Sequence, residues 1–320
     1  MASKKSKGNK NNIIKGLFPA EWAMLFYALF TMLLVLFTAT NFRHGDAMLW
    51  DRVRVVITTA ALWGAHRIWP HKFMELVRIA VLLLFLSWWY PDTYELNKQF
   101  TNLDPTFAAW DQALFGFQPA LVWCKEWASP IWAEMMDFGY SMYYPMFVAL
   151  IMYVFFRRYH DFQRISFVIL AAFYLFYVIY DLLPVTGPQY YYLAAGVENI
   201  AAGTFPEVGN YFATCTDCLP TPGWNGGLFH SLVESAHAAG ERPTAAFPSS
   251  HVGIATITMT MALRMREWRF AMIIAIPYIL LCFSTVYIQA HYAVDAIAGF
   301  VLGVPMALGL DMMYNKLKIK

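Results

Sequence analysis

The sequence predicts an all-α membrane protein, a polytopic bundle of about eight transmembrane helices. Of its 320 residues, 59% are hydrophobic and only 14% are charged. A soluble domain is roughly half apolar and one quarter charged. Repeated apolar runs of about 20 residues are long enough to cross a bilayer as helices. The net charge of +2 gives no reason to expect a nucleic acid partner.

The apolar segments divide the chain into three predicted parts. A basic tail covers residues 1–20, and N-terminal membrane helices with an outer loop cover 21–130. A catalytic membrane core covers 131–315 and includes a second outer loop at 185–248. The apolar segments are 21–40, 53–69, 74–90, 131–156, 165–184, 249–263, 270–289 and 291–313.

Basic residues predict how these segments are oriented, because lysine and arginine favour cytoplasmic connections. They cluster in the tail and in alternate connections: Lys4, Lys5, Lys7, Lys10 and Lys15; Arg67 and Lys72; Arg157, Arg158 and Arg164; Arg264, Arg266 and Arg269; Lys316, Lys318 and Lys320. The 41–52 connection is an exception, since Arg43, Arg52 and Arg54 face outward there. We expect an integral protein of a bacterial inner membrane with both termini cytoplasmic. The 185–248 loop and the active site then face the periplasm.

The segment Pro248-Ser249-Ser250-His251 carries a helix-start pattern, with serine as a cap and proline in the first turn. A helix N-terminus directs N–H groups and a positive dipole at an anion, which makes it suited to bind phosphate. His251 follows in the first turn and is placed to donate and accept a proton. The alternative is an ordinary capped helix with an interfacial histidine.

A second histidine, His291, opens the last apolar segment and is followed four residues later by Asp295. On a helix this spacing places both side chains on one face. A carboxylate that accepts a hydrogen bond from one ring nitrogen fixes the tautomer and leaves the other nitrogen nucleophilic. The alternative is a structural pair facing a watery cleft. The predicted topology puts His251, His291 and Asp295 at the same membrane face.

These motifs resemble the type 2 phosphatidate phosphatase superfamily of lipid phosphatases and phosphotransferases. Pro248-Ser249-Ser250-His251 is similar to its second motif, and Ser284-Thr285 with His291 and Asp295 keeps the spacing of its third. The resemblance implies a six-helix core in which His291 forms a phosphohistidine, Asp295 orients it, and His251 is the general acid and then the base. It also implies that neither a metal nor another cofactor is required.

The sequence departs from that family where its cationic residues are expected. Thr285 replaces the arginine of the third motif, and Ser235 stands where the first motif, ending at Arg242-Pro243, has lysine. Both changes resemble the branch that includes inositol phosphorylceramide synthases. Two other segments are similar to that branch, namely Gly187-Pro188-Gln189 and the run Asp111, Leu114, Phe115, Gly116. The predicted substrate-binding residues are therefore Ser249, Ser250, Arg242, Gln189 and Tyr190.

The leading hypothesis is an enzyme that acts on a lipid phosphate in the bilayer. If water cleaves the phosphohistidine, the enzyme is a phosphatase; if inositol or another hydroxyl acceptor does, it is a transferase that makes a phosphosphingolipid or related lipid. A transporter with a proton relay through His251, His291 and Asp295 is an alternative of another class. A metal enzyme using the two histidines and the carboxylate is a third.

The sequence has two smaller features of note. Cys215 and Cys218 form a single Cys-Thr-Asp-Cys pair, which is weak evidence for zinc. Either a local disulfide or two free thiols are expected. Gly299 and Gly303 form a Gly-x-x-x-Gly step, which is typical of close helix packing.

Overall fold

The structure is a computed structural model that describes residues 16–38 and 45–318. Within these ranges the chain forms α-helices and short 3-10 turns but no strand, which confirms the all-α class. Most of the predicted tail 1–20, and Arg43, lie outside the described residues. The helices are α1 (Pro19–Thr38), α2 (Gly45–Ile68), α3 (Lys72–Asn97), α4 (Asp104–Phe115), α5 (Pro119–Glu126), α6 (Pro130–Ser141), α7 (Tyr143–Arg157), α8 (Phe162–Leu182), α9 (Pro188–Ala195), α10 (Val197–Ala201), α11 (Leu228–Gly240), α12 (Ser250–Arg264), α13 (Trp268–Tyr287) and α14 (Ala293–Lys318).

Long apolar helices make this an integral membrane protein. Five helices in the described ranges, α1, α3, α8, α13 and α14, are long and apolar enough to cross a bilayer. The pair α6 and α7, bent by 43° at its break, is a sixth candidate if it forms one span. These helices correspond to six of the apolar segments, and the count of eight stays a prediction.

The remaining segments correspond to α2 and α12, which are weaker candidates for physical reasons. α2 carries Asp46, Asp51, Arg52 and Arg54 in its first half. α12 has 15 residues and is therefore about 22 Å long, shorter than the ~30 Å hydrocarbon core. A helix that short crosses a membrane only if the bilayer thins or other protein covers its ends.

Helix α12 packs against α7, α8, α13 and α14, so it lies inside the bundle. Its approach to α14 requires glycine on the facing helix. A Cβ on Gly299 would lie 2.3 Å from the Ser249 carbonyl oxygen, and one on Gly303 would lie 2.8 Å from Thr256 Cβ. The predicted role of this Gly-x-x-x-Gly step in helix packing is confirmed, and the packing fixes the start of α12 beside the start of α14.

Several basic connections gather at the end of the bundle opposite the start of α12. Arg158 Nη1 donates to Glu267 Oε1 at 2.8 Å. Arg164 and Arg264 both bind the buried carboxylate of Asp311, at 3.1 and 2.8 Å. The ends of α7, α12 and α14 therefore lie together, as the alternation of basic connections predicts.

Arg52 corrects the expectation of an outward-facing basic connection. It lies inside α2 rather than in a loop, and its Nη1 donates to Asp92 Oδ2 on α3 at 2.6 Å. The side chain is 2% exposed. A buried, paired arginine contributes no net charge to the connection, which is the physical reason for the exception in the charge pattern.

Candidate active site

The structure brings His251 and His291 into direct contact. His251 lies in the first turn of α12, and His291 lies in the turn between α13 and α14. His251 Nδ1 is 3.2 Å from His291 Nε2. The two imidazoles are therefore close enough to act on one phosphorus atom.

The hydrogen bonds of His291 define its tautomer. Its Nδ1 lies 2.7 Å from the carbonyl oxygen of Ala246, which only accepts, so Nδ1 carries the proton. In the neutral ring Nε2 then has a lone pair, and the proton in the contact between the rings belongs to His251 Nδ1. Burial lowers the pKa of His291 to about 4, against a weaker opposing effect of the Ala246 hydrogen bond. The ring is therefore neutral and nucleophilic at neutral pH.

Asp295 lies beside His291 but does not make the expected hydrogen bond. Its Oδ2 is 3.7 Å from His291 Nδ1 and accepts instead from the Tyr292 amide at 2.9 Å. Its Oδ1 is buried without a hydrogen-bond partner in the described part of the chain. The expected hydrogen bond is missing because His291 Nδ1 donates its one proton to the Ala246 carbonyl oxygen, at 2.7 Å. The carboxylate remains near enough to stabilise a positive charge on the ring.

Two tyrosines hold His251 at the bend between α6 and α7. The Tyr140 ring stacks on the His251 ring with centroids 4.8 Å apart and planes at 24°. The Tyr143 ring lies 4.2 Å from it, centroid to centroid. Aromatic contact on this scale restricts the rotation of the imidazole. These positions were missed by the sequence reasoning, which has no means to relate α6 and α7 to the start of α12.

The predicted serines sit at the start of α12. Ser249 is its N-cap, and its Oγ accepts from the Val252 amide at 3.3 Å. The Ser250 amide donates to the Tyr180 hydroxyl at 2.9 Å, and that hydroxyl donates to the Pro248 carbonyl at 2.8 Å. The cap predicted from Pro-Ser-Ser-His is therefore present, and Tyr180 fastens it to α8.

The other predicted substrate-binding residues lie around Glu241. Gln189 Nε2 donates to Glu241 Oε2 at 2.9 Å, and Tyr190 is buried beside it. Arg242 is exposed and its Nη1 donates to the main-chain oxygen of Glu241 at 3.0 Å. Among the described residues no lysine or arginine makes a hydrogen bond or ion pair with either histidine.

Two aspartates of α4, Asp104 and Asp111, hold the segments around His291 in place, and the sequence analysis did not name them as site residues. Asp111 accepts from the amides of Ala293 and Val294, both at 2.9 Å. Burial raises the pKa of Asp111 to about 6, and these two hydrogen bonds oppose the rise. The only sequence signal was the Asp111 run already noted for its similarity to the synthase branch.

Asp104 does the same for the neighbouring loop. It accepts from the amides of Thr186 at 2.8 Å and Gly187 at 2.9 Å and from the Tyr292 hydroxyl at 2.9 Å. Burial raises the pKa of Asp104, while the hydrogen bonds from Thr186, Asn102 and Gly187 lower it. α4 thus holds both the loop before α9 and the turn that contains the nucleophile candidate.

Thr285, in the position of the family's arginine, has a structural role. Its carbonyl oxygen accepts from the His291 amide at 3.0 Å, and its hydroxyl donates to Cys282 within the same helix at 3.3 Å. It adds no charge to the site. Cys215 and Cys218, the other open question, are both free thiols.

Comparison with known proteins gives one result. A family model described as the PAP2 superfamily matches residues 106–308, which run from α4 to α14. This chain belongs to the PAP2 superfamily. No curated protein and no solved structure matches it significantly. With its apolar helices, this membership indicates a membrane enzyme of the phosphatase or phosphotransferase type.

Proposed function

We propose that the protein is a lipid-phosphate phosphatase or phosphotransferase that works through a phosphohistidine on His291. The contact between His251 Nδ1 and His291 Nε2 carries this proposal. It joins an unprotonated ring nitrogen to a protonated one across 3.2 Å. A nucleophile and a general acid have to be arranged in this way around one phosphoryl group.

In the first step the His291 Nε2 lone pair forms a bond to phosphorus, and the bond from phosphorus to the leaving oxygen breaks. His251 enters this step as the imidazolium, whose charge the bound phosphate anion supports; it gives its Nδ1 proton to that oxygen, so the alcohol leaves neutral and His251 becomes a neutral imidazole. The His291 ring keeps its Nδ1 proton on the Ala246 carbonyl and becomes positively charged. Asp295 lies close enough to stabilise this charge.

In the second step a hydroxyl attacks phosphorus and the bond from phosphorus to His291 Nε2 breaks. His251 Nδ1 takes the proton of the attacking hydroxyl, which restores the starting state. Water yields free phosphate from a monoester. A hydroxyl acceptor such as inositol yields a new phosphate monoester when the donor is a monoester, and a new phosphodiester when the donor is a diester. The dipole at the start of α12 supports an anion in both steps.

The test combines a nucleophile variant with a search for the intermediate. We expect His291→Ala to lower lipid phosphate turnover at least about 10³-fold, since it removes the nucleophile itself. Brief reaction of wild type with ³²P-labelled phosphatidic acid followed by denaturation should give an acid-labile, base-stable label. His160→Ala is the matched control, because that side chain is 73% exposed at the other end of the bundle. Full turnover by His291→Ala would refute the proposal.

Product identity decides between hydrolysis and transfer. A panel of lipid phosphates is incubated with and without myo-inositol, and the products are separated by chromatography. Free phosphate alone indicates a phosphatase, and inositol phosphate or an inositol-containing lipid indicates transfer to the acceptor.

We also propose eight spans, with α2 and α12 included, around a six-helix core. Both termini are then cytoplasmic and the site faces the periplasm of a bacterial inner membrane. The clustering of Arg158, Arg164 and Arg264 at the end opposite His251 supports this orientation. Reporter fusions at each terminus test it, and a periplasmic signal from either fusion would contradict it.

A further inference from the structure

The end of helix α3 contacts the segment whose main chain holds His291. Thr244 lies two residues before Ala246 and is buried. Asn97 Nδ2 donates to Thr244 Oγ1 at 2.6 Å, and Thr93 Oγ1 lies 3.2 Å from the same atom. Asn97 is the last residue of α3, and Thr93 lies one turn earlier. The segment that presents its carbonyl oxygen to the candidate nucleophile is therefore bound to α3.

The hydrogen-bond directions at Thr244 follow from its neighbours. The Thr93 hydroxyl donates to the Tyr90 carbonyl oxygen at 2.7 Å, which uses its only proton. The Thr244 hydroxyl therefore donates to Thr93 Oγ1 and accepts from the side-chain amide of Asn97. Since both its proton and a lone pair are used, the Thr244 side chain is held in one orientation.

The side-chain amide of Asn97 also contacts the helix that holds the start of α12. Its Nδ2 donates a second hydrogen bond to the main-chain oxygen of Tyr180 at 3.2 Å. A carbonyl oxygen only accepts, so this contact fixes which end of the amide faces α8. The Tyr180 hydroxyl binds the Pro248 carbonyl and the Ser250 amide, which precedes His251. Asn97 therefore binds one residue on the path to each histidine.

The backbone between Thr244 and Ala246 requires external support. Ala245 has a φ of 66°, in the left-handed region that a residue with a Cβ seldom adopts. Such a conformation persists only where the surrounding contacts hold it. Thr244 is bound to α3 on one side, and the Ala246 amide donates to the Val185 carbonyl at 3.0 Å on the other. Without the contact to α3 this backbone can relax, and the Ala246 carbonyl then loses its position against His291 Nδ1.

This support comes from outside the part of the chain that matches the PAP2 superfamily. That match begins at residue 106, whereas α3 ends at Asn97. Thr93 and Asn97 are both buried. They therefore act through other protein groups and not by contact with a substrate.

We propose that Asn97 is a positioning residue for His291. Through Thr244 it holds the Ala246 carbonyl against His291 Nδ1, which keeps the proton on Nδ1 and the lone pair on Nε2. Through Tyr180 it also steadies the start of α12. The proposal rests on the proposed function, since it concerns how the nucleophile of that reaction is kept reactive.

Asn97→Ala and Thr244→Val each remove one partner of the decisive hydrogen bond, and the second variant keeps the shape of the side chain. We expect each to lower kcat for a lipid phosphate about tenfold, with a smaller change in KM, because both side chains are buried. If both act through one contact, the double variant should be no slower than Asn97→Ala alone. Thr244→Ser keeps the hydroxyl and should retain most of the wild-type kcat.

Tyr94→Phe is the matched control. Tyr94 lies in the last turn of α3, and its hydroxyl donates to the Phe212 carbonyl oxygen at 2.7 Å. The variant therefore removes a buried hydrogen bond between α3 and the 185–248 segment but leaves the path to His291 intact, so kcat should stay near wild type. An equal loss of kcat in Tyr94→Phe, or losses in Asn97→Ala and Thr244→Val that multiply, would show that α3 only stabilises this segment and would overturn the proposal.

The tautomer of His291 gives a measurement that does not depend on turnover. In protein labelled with ¹⁵N-histidine, the NMR signals of the His291 ring are assigned by their loss in His291→Ala. We expect a protonated Nδ1 and an unprotonated Nε2 in wild type and in Tyr94→Phe, and a mixture of both tautomers in Asn97→Ala. An unchanged tautomer in Asn97→Ala would overturn the proposal. A changed tautomer together with full turnover by His291→Ala would instead refute the proposed chemistry alone.

Discussion

Helices α1–α3 and the end of the bundle that holds the two histidines bury ionisable side chains in different ways. In α1–α3, Arg78 is bound to the carboxylate of Glu21 at 2.5 Å, and Arg52 to that of Asp92 at 2.6 Å. At the end that holds the two histidines, Asp104 and Asp111 accept hydrogen bonds from main-chain amides instead.

This difference shows how the two regions are used. Opposite charges that satisfy each other join helices and leave nothing for chemistry. Asp111, by contrast, accepts hydrogen bonds from neutral main-chain amides and so positions the turn that contains His291. His291 Nε2 and His251 Nδ1 remain in contact with each other. The first region also lies outside the residues that match the PAP2 superfamily. Four predictions test this comparison.

The largest expected effect is on stability in α1–α3. Arg78→Leu leaves Glu21 buried without its cation and also removes a 2.6 Å contact with His66 Nδ1. We expect unfolding to become easier by about 3–5 kcal/mol, measured as a lower midpoint of thermal unfolding in detergent. Arg269→Leu, an exposed arginine, is the control. An unchanged midpoint for Arg78→Leu would show that the pair is not part of the stabilising core.

The second prediction concerns the pH dependence of turnover. The pKa of His291 is lowered from 6.5 to about 4 by burial, so the neutral nucleophile persists as the pH falls through 6.5. We expect the acid limb of kcat/KM, if His291 sets it, to appear near pH 4. The contrary result is an acid limb of kcat/KM near pH 6.5 that is absent when phosphohistidine is trapped at saturating substrate. It would mean that His291 is more exposed to water than the structure shows.

Asp111→Asn tests the amide-bound carboxylates. The asparagine oxygen can accept one amide, but its NH₂ group cannot accept the other, so the start of α14 should loosen. Loss of a charge-assisted hydrogen bond of about 1.5–3 kcal/mol corresponds to a roughly 10- to 100-fold lower kcat. The KM should change less, because Asp111 acts on the position of His291 and not on the lipid. Asp217→Asn, at an exposed position between α10 and α11, should behave as wild type; equal kcat for both variants would exclude the positioning role.

The smallest expected effect is that of Ser249→Ala. It removes the cap bond to the Val252 amide and should cost about 1 kcal/mol of stability. Because His251 follows two residues later, a modest loss of turnover should accompany it. A loss of turnover larger than that of Asp111→Asn would mean that the Ser249 hydroxyl contacts the phosphate directly.

Much of the candidate site could be predicted from the sequence, because the signals for it are local. Pro248-Ser249-Ser250-His251 encodes a capped helix start, and the apolar segments encode the spans that place both histidines at one end. The count of spans was harder, because α12 is short and α2 is charged, and neither length nor composition decides whether such a helix crosses.

The sequence alone determined the class of protein, the two histidine motifs and the helix that begins at Ser250. Only the tertiary structure decided that Ala246, rather than Asp295, holds His291 Nδ1, and that Tyr140 and Tyr143 pack against His251. The physical reason is that capping and hydropathy act within a few neighbouring residues. The choice of a hydrogen-bond acceptor depends instead on differences of about 1 Å between segments distant along the chain.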